Sequence, residues 1–104
     1  MNKIKVNSNI EENNIIYDMA DIFKALSDPS RLKVLNEITN KKVCVTDIAE
    51  KLNMSQPCVS HHLRTLKQAK IITSSKEGKE VYYKLHCNSI KTLLDNCKEH
   101  LKHY

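Results

Sequence analysis

The only glycine of this 104-residue chain limits the folds that the sequence can adopt. Gly78 lies between two runs of strand-forming residues, 71–75 and 81–85, and glycine takes positive φ freely in a tight hairpin turn. The rest of the chain contains only two prolines. Because so few residues favour tight turns elsewhere, we expect the remainder of the chain to be mostly helical.

Apolar residues spaced three and four apart predict five helices. The first starts near Asn14, and its apolar stripe is broad enough to face both its own core and a second subunit. N-cap residues, which accept a hydrogen bond from the first helical turn, mark the starts of the next three helices. These predicted N-caps are Asp28, Thr46 and Ser55, and the last helix follows from Asn88.

The order of these elements predicts a mainly α fold with a small β hairpin. Helices, a helix–turn–helix, a hairpin and a final helix describe a winged helix-turn-helix of about five helices plus a two-stranded wing. Residues 43–45 add a short β-like run. We expect residues 1–13 to be a flexible N-terminal arm and residues 14–104 to form one domain for DNA binding and dimerisation. A chain this short gains stability by forming a homodimer.

The charge balance favours a polyanionic partner. Seventeen Lys and Arg residues against twelve Asp and Glu residues give a net charge of +5, and the pI is about 9.0. The N-terminus lacks a signal peptide, and no segment approaches the roughly 20 apolar residues of a membrane span. We therefore expect a cytoplasmic protein with no membrane partner. The absence of a phosphate-binding loop or a nucleophile elbow argues against an enzyme.

The fourth predicted helix combines an apolar side with a polar side suited to DNA. Val59, Leu63 and Leu66 share the apolar side and should pack on the preceding helix. Short polar and basic groups on the opposite side could reach base edges and phosphates. An ordinary amphipathic helix with a solvated face would show the same pattern, so this helix alone does not decide between the two.

The predicted hairpin favours the DNA-binding interpretation. Lys76 and Lys79 flank Gly78 at the tip of the wing, where lysines can neutralise phosphates. A charged, solvated loop is the alternative, but it does not explain the neighbouring helix–turn–helix. We predict that double-stranded DNA is contacted by Ser55, Gln56, Ser60, His61, Arg64, Lys76 and Lys79.

Three segments resemble the ArsR/SmtB family of winged-helix repressors. Residues 25–32 (ALSDPSRL) are similar to the start of the family's second helix, and residues 55–63 (SQPCVSHHL) to its recognition helix. Residues 78–83 (GKEVYY) are similar to its wing. The resemblance implies a homodimer that represses its own operon and leaves the operator when an effector binds. It also implies DNA contacts by Gln56, Ser60, His61 and the wing lysines.

One metal site of the family is incomplete in this chain. The family's soft-metal motif reads Cys-Val-Cys-Asp-Leu, whereas residues 44–48 read Cys-Val-Thr-Asp-Ile. Cys44 matches, but Thr46 replaces the second thiol, and one thiolate is too few for a closed soft-metal site. We therefore expect Cys44 to be a small buried hydrophobic residue.

The resemblance implies a second metal site on the last helix. The family pattern is Asp-x-His at the start of that helix and His-x-x-His or His-x-x-Glu at its end. His100 and His103 match, Cys87 replaces the Asp, and Ser89 replaces the first His. The implied ligands are Cys87, His100 and His103, with His86, Ser89 or water completing the set. A thiolate with imidazoles favours zinc, cadmium or copper(I).

The length of the last helix makes this a site between two subunits. Cys87 and His100 are 13 residues apart, about 20 Å along a helix. Two antiparallel last helices in a dimer would bring the opposite ends together, so that a metal ion would tie the subunits to each other. In one alternative, His100 and His103 bind no metal and lie in a solvated, frayed C-terminus. A repressor that responds to thiols or persulfides through Cys44, Cys87 or Cys97 is the other, and the role of Cys58 stays open.

Overall fold

The computed structural model describes residues 2–104, with side chains described from residue 10 onward. Within this part of the chain there are five helices and three strands. In chain order they are α1 (Asn2–Leu26), α2 (Pro29–Ile38), β1 (Val43–Cys44), α3 (Val45–Leu52), α4 (Gln56–Gln68), β2 (Ile72–Glu77), β3 (Glu80–Leu85) and α5 (Asn88–Lys102). The predicted mainly helical class with five helices is confirmed.

Helix α1 extends through most of the segment that the sequence assigns to an arm. It begins at Asn2, so residues 2–13 continue the helix predicted from Asn14. This stretch contains neither glycine nor proline, and nothing in it interrupts a helix. Met1, the first residue of the predicted arm, lies outside the described residues. The flexibility of the arm and the domain boundary after residue 13 stay predictions.

Two of the three predicted N-caps are confirmed by hydrogen bonds. Asp28 Oδ2 accepts a bond of 2.8 Å from the backbone N–H of Arg31, and Pro29 is the first residue of α2. Ser55 Oγ accepts a bond of 3.2 Å from the backbone N–H of Cys58. These caps satisfy donors that the first turn of each helix leaves without partners.

The wing sheet has three strands rather than the two predicted. Strand β1 pairs antiparallel with β3, opposite Tyr82 and Tyr83, and the strand order is β1-β3-β2. Both residues of β1 are buried, so even this short run is held against the sheet. Because the pairing keeps the chain extended through Cys44, α3 follows directly with Cys44 as its N-cap. The prediction of Thr46 as the N-cap is therefore wrong.

The hairpin of β2 and β3 is built as the sequence predicts. Its register runs from Ile72 opposite Leu85 to Glu77 opposite Glu80. Gly78 has φ +64° at the first position of the two-residue turn. A positive φ at that position suits the right-handed twist of a hairpin and favours glycine.

The core lies between α2, α3, α4 and the start of β2. Its largest fully buried side chains are Val34, Leu35, Ile38, Ile48, Val59, Leu63, Leu66, Ile71 and Ile72. By contrast, α5 has no buried residue, and only its Ile90 and Leu94 pack against the core edge. Among the described residues, no helix is both long and apolar enough to cross a membrane.

Replacement of Gly78 by alanine should destabilise the fold through backbone strain alone. A Cβ added at Gly78 would meet no atom within 4 Å, so the cost comes from its positive φ. We expect Gly78→Ala to lower the free energy of unfolding by about 1 kcal/mol. Gly78→Asn should cost less, because asparagine tolerates this region better. Urea denaturation measures both changes, and equal stability of Gly78→Ala and wild type would contradict a left-handed turn.

Candidate nucleic-acid interface

The turn between α3 and α4 fixes the direction of α4. Asn53 ends α3 in the left-handed region with φ 54°, a conformation that asparagine tolerates. Its N–H donates to Glu50 O at 3.3 Å, and the N–H of Met54 donates to Ala49 O at 3.0 Å. Met54 is half-buried against the core. These two hydrogen bonds and the packing of Met54 fix the turn from which the chain enters α4.

The inner side of α4 is completely enclosed. Val59, Leu63 and Leu66 have no exposed surface, as the apolar spacing predicts. His62 is also buried on this side, which the sequence analysis did not anticipate. Because these positions face the core, the remaining positions of the helix must face outward.

The predicted DNA-contacting residues of α4 lie outside this buried side. Gln56, His61 and Arg64 are exposed, and Ser60 is half-buried. Ser55 is exposed at the start of the helix, where its hydroxyl is already used as the N-cap. The arrangement leaves amide, imidazole, hydroxyl and guanidinium groups for contact with a groove of DNA.

The wing carries an ion pair that the sequence analysis missed. Lys42 Nζ lies 2.6 Å from Glu77 Oε1 and 5.1 Å from the centre of the Tyr82 ring. Its hydrogen bond lowers the pKa of Glu77, which stays ionised. Lys42 therefore neutralises a carboxylate close to the exposed Lys76 and Lys79. The pairing joins residues 35 positions apart, which explains why local spacing gave no sign of it.

A second contact ties the wing to α4. Lys67, near the end of α4, donates a hydrogen bond of 2.7 Å to Ser74 Oγ on β2. The backbone also joins the two elements, because the N–H of Ile71 donates to Leu66 O at 3.0 Å. The wing and α4 therefore form one connected surface.

Cys87 is exposed at the N-terminal end of α5, where it is the N-cap residue. Hydrogen bonds from the Ser89 hydroxyl and from the Ser89 backbone lower the pKa of the Cys87 thiol. Ser89, which could complete the predicted metal site, lies in the first turn of α5 beside this thiol. His86 is exposed, and its backbone N–H donates to Ile71 O at 3.0 Å.

The two histidines lie at the opposite end of α5. His103 Nε2 is 2.8 Å from Glu99 Oε1, and the His100 ring lies 6.0 Å from the Tyr104 ring. Both imidazoles are exposed. Within one subunit, Cys87 and the two histidines are thus separated by the length of α5. Within the described chain, no group of three or more His, Cys, Asp and Glu residues could hold a metal ion.

The remaining cysteines differ in their surroundings. Cys44 is buried, which agrees with its expected role as a small hydrophobic residue. Cys58 and Cys97 are exposed. Cys58 Sγ lies 3.7 Å from His62 Nε2, one helical turn further along α4.

Known proteins are similar to this chain over the helices and strands described above. Residues 28–74 match the family described as "Bacterial regulatory protein, arsR family". This chain is 36% identical over 84 residues to a transcriptional repressor SmtB homolog from Synechocystis sp., covering 81% of this chain and 64% of that relative. It therefore spans less than two thirds of that protein.

Another relative and one solved structure extend this comparison. The chain is 40% identical over 84 residues to a cadmium resistance transcriptional regulatory protein CadC homolog from Staphylococcus aureus, covering 80% of this chain and 69% of that protein. A homodimeric winged helix-turn-helix DNA-binding domain from Mycobacterium bovis has a TM-score of 0.80 at 24% identity, over 89% of this chain and 90% of that chain. The winged-helix prediction is confirmed, and the relatives are regulators rather than enzymes.

Proposed function

The chain belongs to the arsR family of bacterial regulatory proteins, and we propose that it is a homodimeric repressor controlled by a metal ion. In this proposal, α4 and the wing bind operator DNA, and a metal ion held between two α5 helices releases it. The observation that carries the DNA-binding part is the outward polar side of α4 beside a lysine-tipped wing. The metal-binding part depends on the donors at the two ends of α5.

The residues of α4 suit direct reading of base edges. An α-helix fits the major groove, which is about 12 Å wide. The amide of Gln56 can pair with the two polar atoms that adenine presents there, and the guanidinium of Arg64 suits guanine or a phosphate. Lys76 and Lys79 supply charge to phosphates, which adds affinity without sequence preference.

Two substitutions separate base reading from phosphate binding. DNA selected by the protein from a random-sequence library serves as the operator. Gln56→Ala should weaken binding to that DNA by about 1–3 kcal/mol and relax the base preference. Lys79→Ala should weaken binding to all sequences and reduce the salt slope by about 1. Fluorescence anisotropy at several salt concentrations measures both, with Lys91→Ala on α5 as the control. Unchanged affinity in both variants would refute this interface.

The exposed apolar residues of α1 and α5 support assembly with a second copy. Ile15 and Phe23 on α1 and Leu93 and Leu101 on α5 are exposed, with Leu101 at 68%. The accessible surface is 7843 Å², whereas a compact chain of this mass has about 6,000 Å². Burial of apolar helix surface is the main driving force for association. The Mycobacterium bovis relative of the same fold is homodimeric.

Leu101→Asp should break the dimer without unfolding the subunit. Leu101 lies outside the core, whereas Leu94 packs on the subunit's own core and would confuse folding with assembly. An aspartate buried at the contact would leave a charge without a partner. Sedimentation should then give a monomer with unchanged helical circular dichroism. Thr92→Asp, on the opposite side of α5, is the matched control and should stay dimeric. A Leu101→Asp dimer would contradict this interface.

The donors on α5 fit a borderline or soft metal ion. Cys87 offers a thiol whose pKa is lowered by Ser89, and His100 and His103 offer exposed imidazoles. Thiolate and imidazole together suit zinc, cadmium or copper(I). Glu99, already in contact with His103, can orient that imidazole. When bound, the ion would supply a bond between subunits, and His86 or water could complete its coordination.

Metal addition should lower operator affinity at least fivefold, or about 1 kcal/mol. The dimeric, metal-free protein is titrated in turn with zinc, cadmium and copper(I), and DNA affinity is followed by anisotropy. The double variant His100→Ala with His103→Ala should bind DNA like the wild type and show no response. Cys97→Ser, the control, should respond normally. Release of DNA from the double variant would place the metal site elsewhere. A wild type that ignores metals but responds to persulfide would favour the thiol-sensing alternative.

A further inference from the structure

The buried imidazole of His62 has no evident structural purpose. His62 is 9% exposed and lies on the core side of α4, beside Val59 and Leu63. Buried polar atoms normally have hydrogen-bond partners, yet Nδ1 of His62 has none among the described residues. An apolar side chain would fill this position without leaving a polar atom unsatisfied. Packing therefore does not account for a histidine here.

The other ring nitrogen of His62 faces a thiol and a carboxylate. Nε2 lies 3.7 Å from Cys58 Sγ and 4.0 Å from Asp28 Oδ2. Cys58 is exposed in the first turn of α4, so its sulfur is accessible from solvent. The imidazole thus connects an accessible thiol to a carboxylate at the start of α2.

The surroundings of His62 keep its imidazole neutral. Burial is the largest effect and lowers its pKa, and the positive charge of Arg31 and the neighbouring His61 act in the same direction. The carboxylate of Asp28 opposes them and raises the pKa, but the net direction is downward. At neutral pH the ring is therefore able to accept a proton, and Asp28 faces the imidazolium that would result.

We propose that Cys58 is a modification site at which a low-molecular-weight disulfide forms a mixed disulfide, with His62 as the proton acceptor. The effect of this modification on DNA rests on the proposed function, whereas the reaction at Cys58 does not. The site differs from the metal-ligand residues, because Cys58 lies on α4 and the predicted ligands lie at the ends of α5.

The reaction is a balanced thiol–disulfide exchange. The Cys58 thiol gives its proton to His62 Nε2, and the thiolate attacks one sulfur of the small disulfide. A bond forms between Cys58 Sγ and that sulfur while the original S–S bond breaks. The departing thiolate takes the proton from Nε2. One protein thiol and one small disulfide thereby become a mixed disulfide and one small thiol.

The position of Cys58 makes this adduct incompatible with DNA binding. Cys58 is in the same helical turn as Gln56, three residues after the N-cap Ser55. That end of α4 would enter a groove of about 12 Å that already holds the helix itself. A peptide-sized group attached to Cys58 would occupy the space between helix and bases. Reduction of the mixed disulfide would restore the original surface.

The reaction is tested with oxidised glutathione as the probe on the full, metal-free protein. Intact mass and peptide mapping give the adduct rate at each cysteine. At pH 7, in the Leu101→Asp monomer, where no dimer contact covers Cys97, Cys58 should react at least tenfold faster than Cys97, which is exposed in the single subunit. The ratio of the two rates should become smaller as the pH rises, because thiolate then forms without a neighbouring proton acceptor.

His62→Gln removes the proton acceptor and keeps a polar side chain. It should slow the reaction at Cys58 at least tenfold, leave the rate at Cys97 unchanged and abolish the pH dependence of their ratio. Equal rates at Cys58 and Cys97 in the Leu101→Asp monomer would overturn the site. An undiminished Cys58 rate in folded His62→Gln would overturn the role of His62.

DNA affinity tests the consequence of the adduct. Protein modified at Cys58 should bind the selected DNA at least tenfold more weakly, and dithiothreitol should restore the affinity. Cys58→Ser should keep its affinity in oxidised glutathione, whereas Cys97→Ser should lose it like the wild type. Full affinity of the Cys58 adduct would contradict the regulatory effect. If the unmodified protein bound no DNA, the proposed function would fail while the adduct rates still decided the chemistry.

Discussion

The burial of Val59, Leu63 and Leu66 against α2 and α3 determines how the rest of α4 can be used. These side chains have no exposed surface, so any rotation of the helix about its axis would bring apolar groups into water. Gln56 and Arg64 face outward as a result. The same constraint encloses His62, whose imidazole would otherwise be an ordinary surface group. Packing of one helix side thus sets both the outward-facing chemistry of α4 and the unusual surroundings of Cys58.

Helix α5 is held to its own subunit far less firmly. None of its residues is buried, and the groups with the chemistry of metal ligands lie at its two ends. Helix α1, by contrast, is connected toward α4 through Arg31. The Nη1 atom of Arg31 donates a hydrogen bond of 3.1 Å to Ala25 O at the end of α1. Arg31 also belongs to the turn capped by Asp28, which faces His62 on α4. Helix α1, one of the two helices proposed to form the dimer, is therefore connected to the proposed DNA-binding helix.

Much of this fold was predictable because it depends on neighbouring residues. Features that depend on pairing between distant segments were not predicted. Gly78 and the caps Asp28 and Ser55 were found because a turn or helix start depends on neighbouring residues. The β-like run at residues 43–45 was visible in the sequence, but its pairing with β3 and the ion pair of Lys42 with Glu77 depend on segments far apart in sequence. The contact of Cys58 with His62 had a local signal, since residues four apart adjoin on a helix.

Because the space around Gly78 is open, the length of the wing and the stability of the core can change independently. No atom lies within 4 Å of a Cβ at the wing tip, so added residues there would not disturb the core. Lengthening a flexible loop is cheap, at about 0.6 kcal/mol for each doubling of its length. The length of the wing can therefore diverge between related chains with little penalty in stability. The turn can lengthen while the helices that carry the fold stay the same.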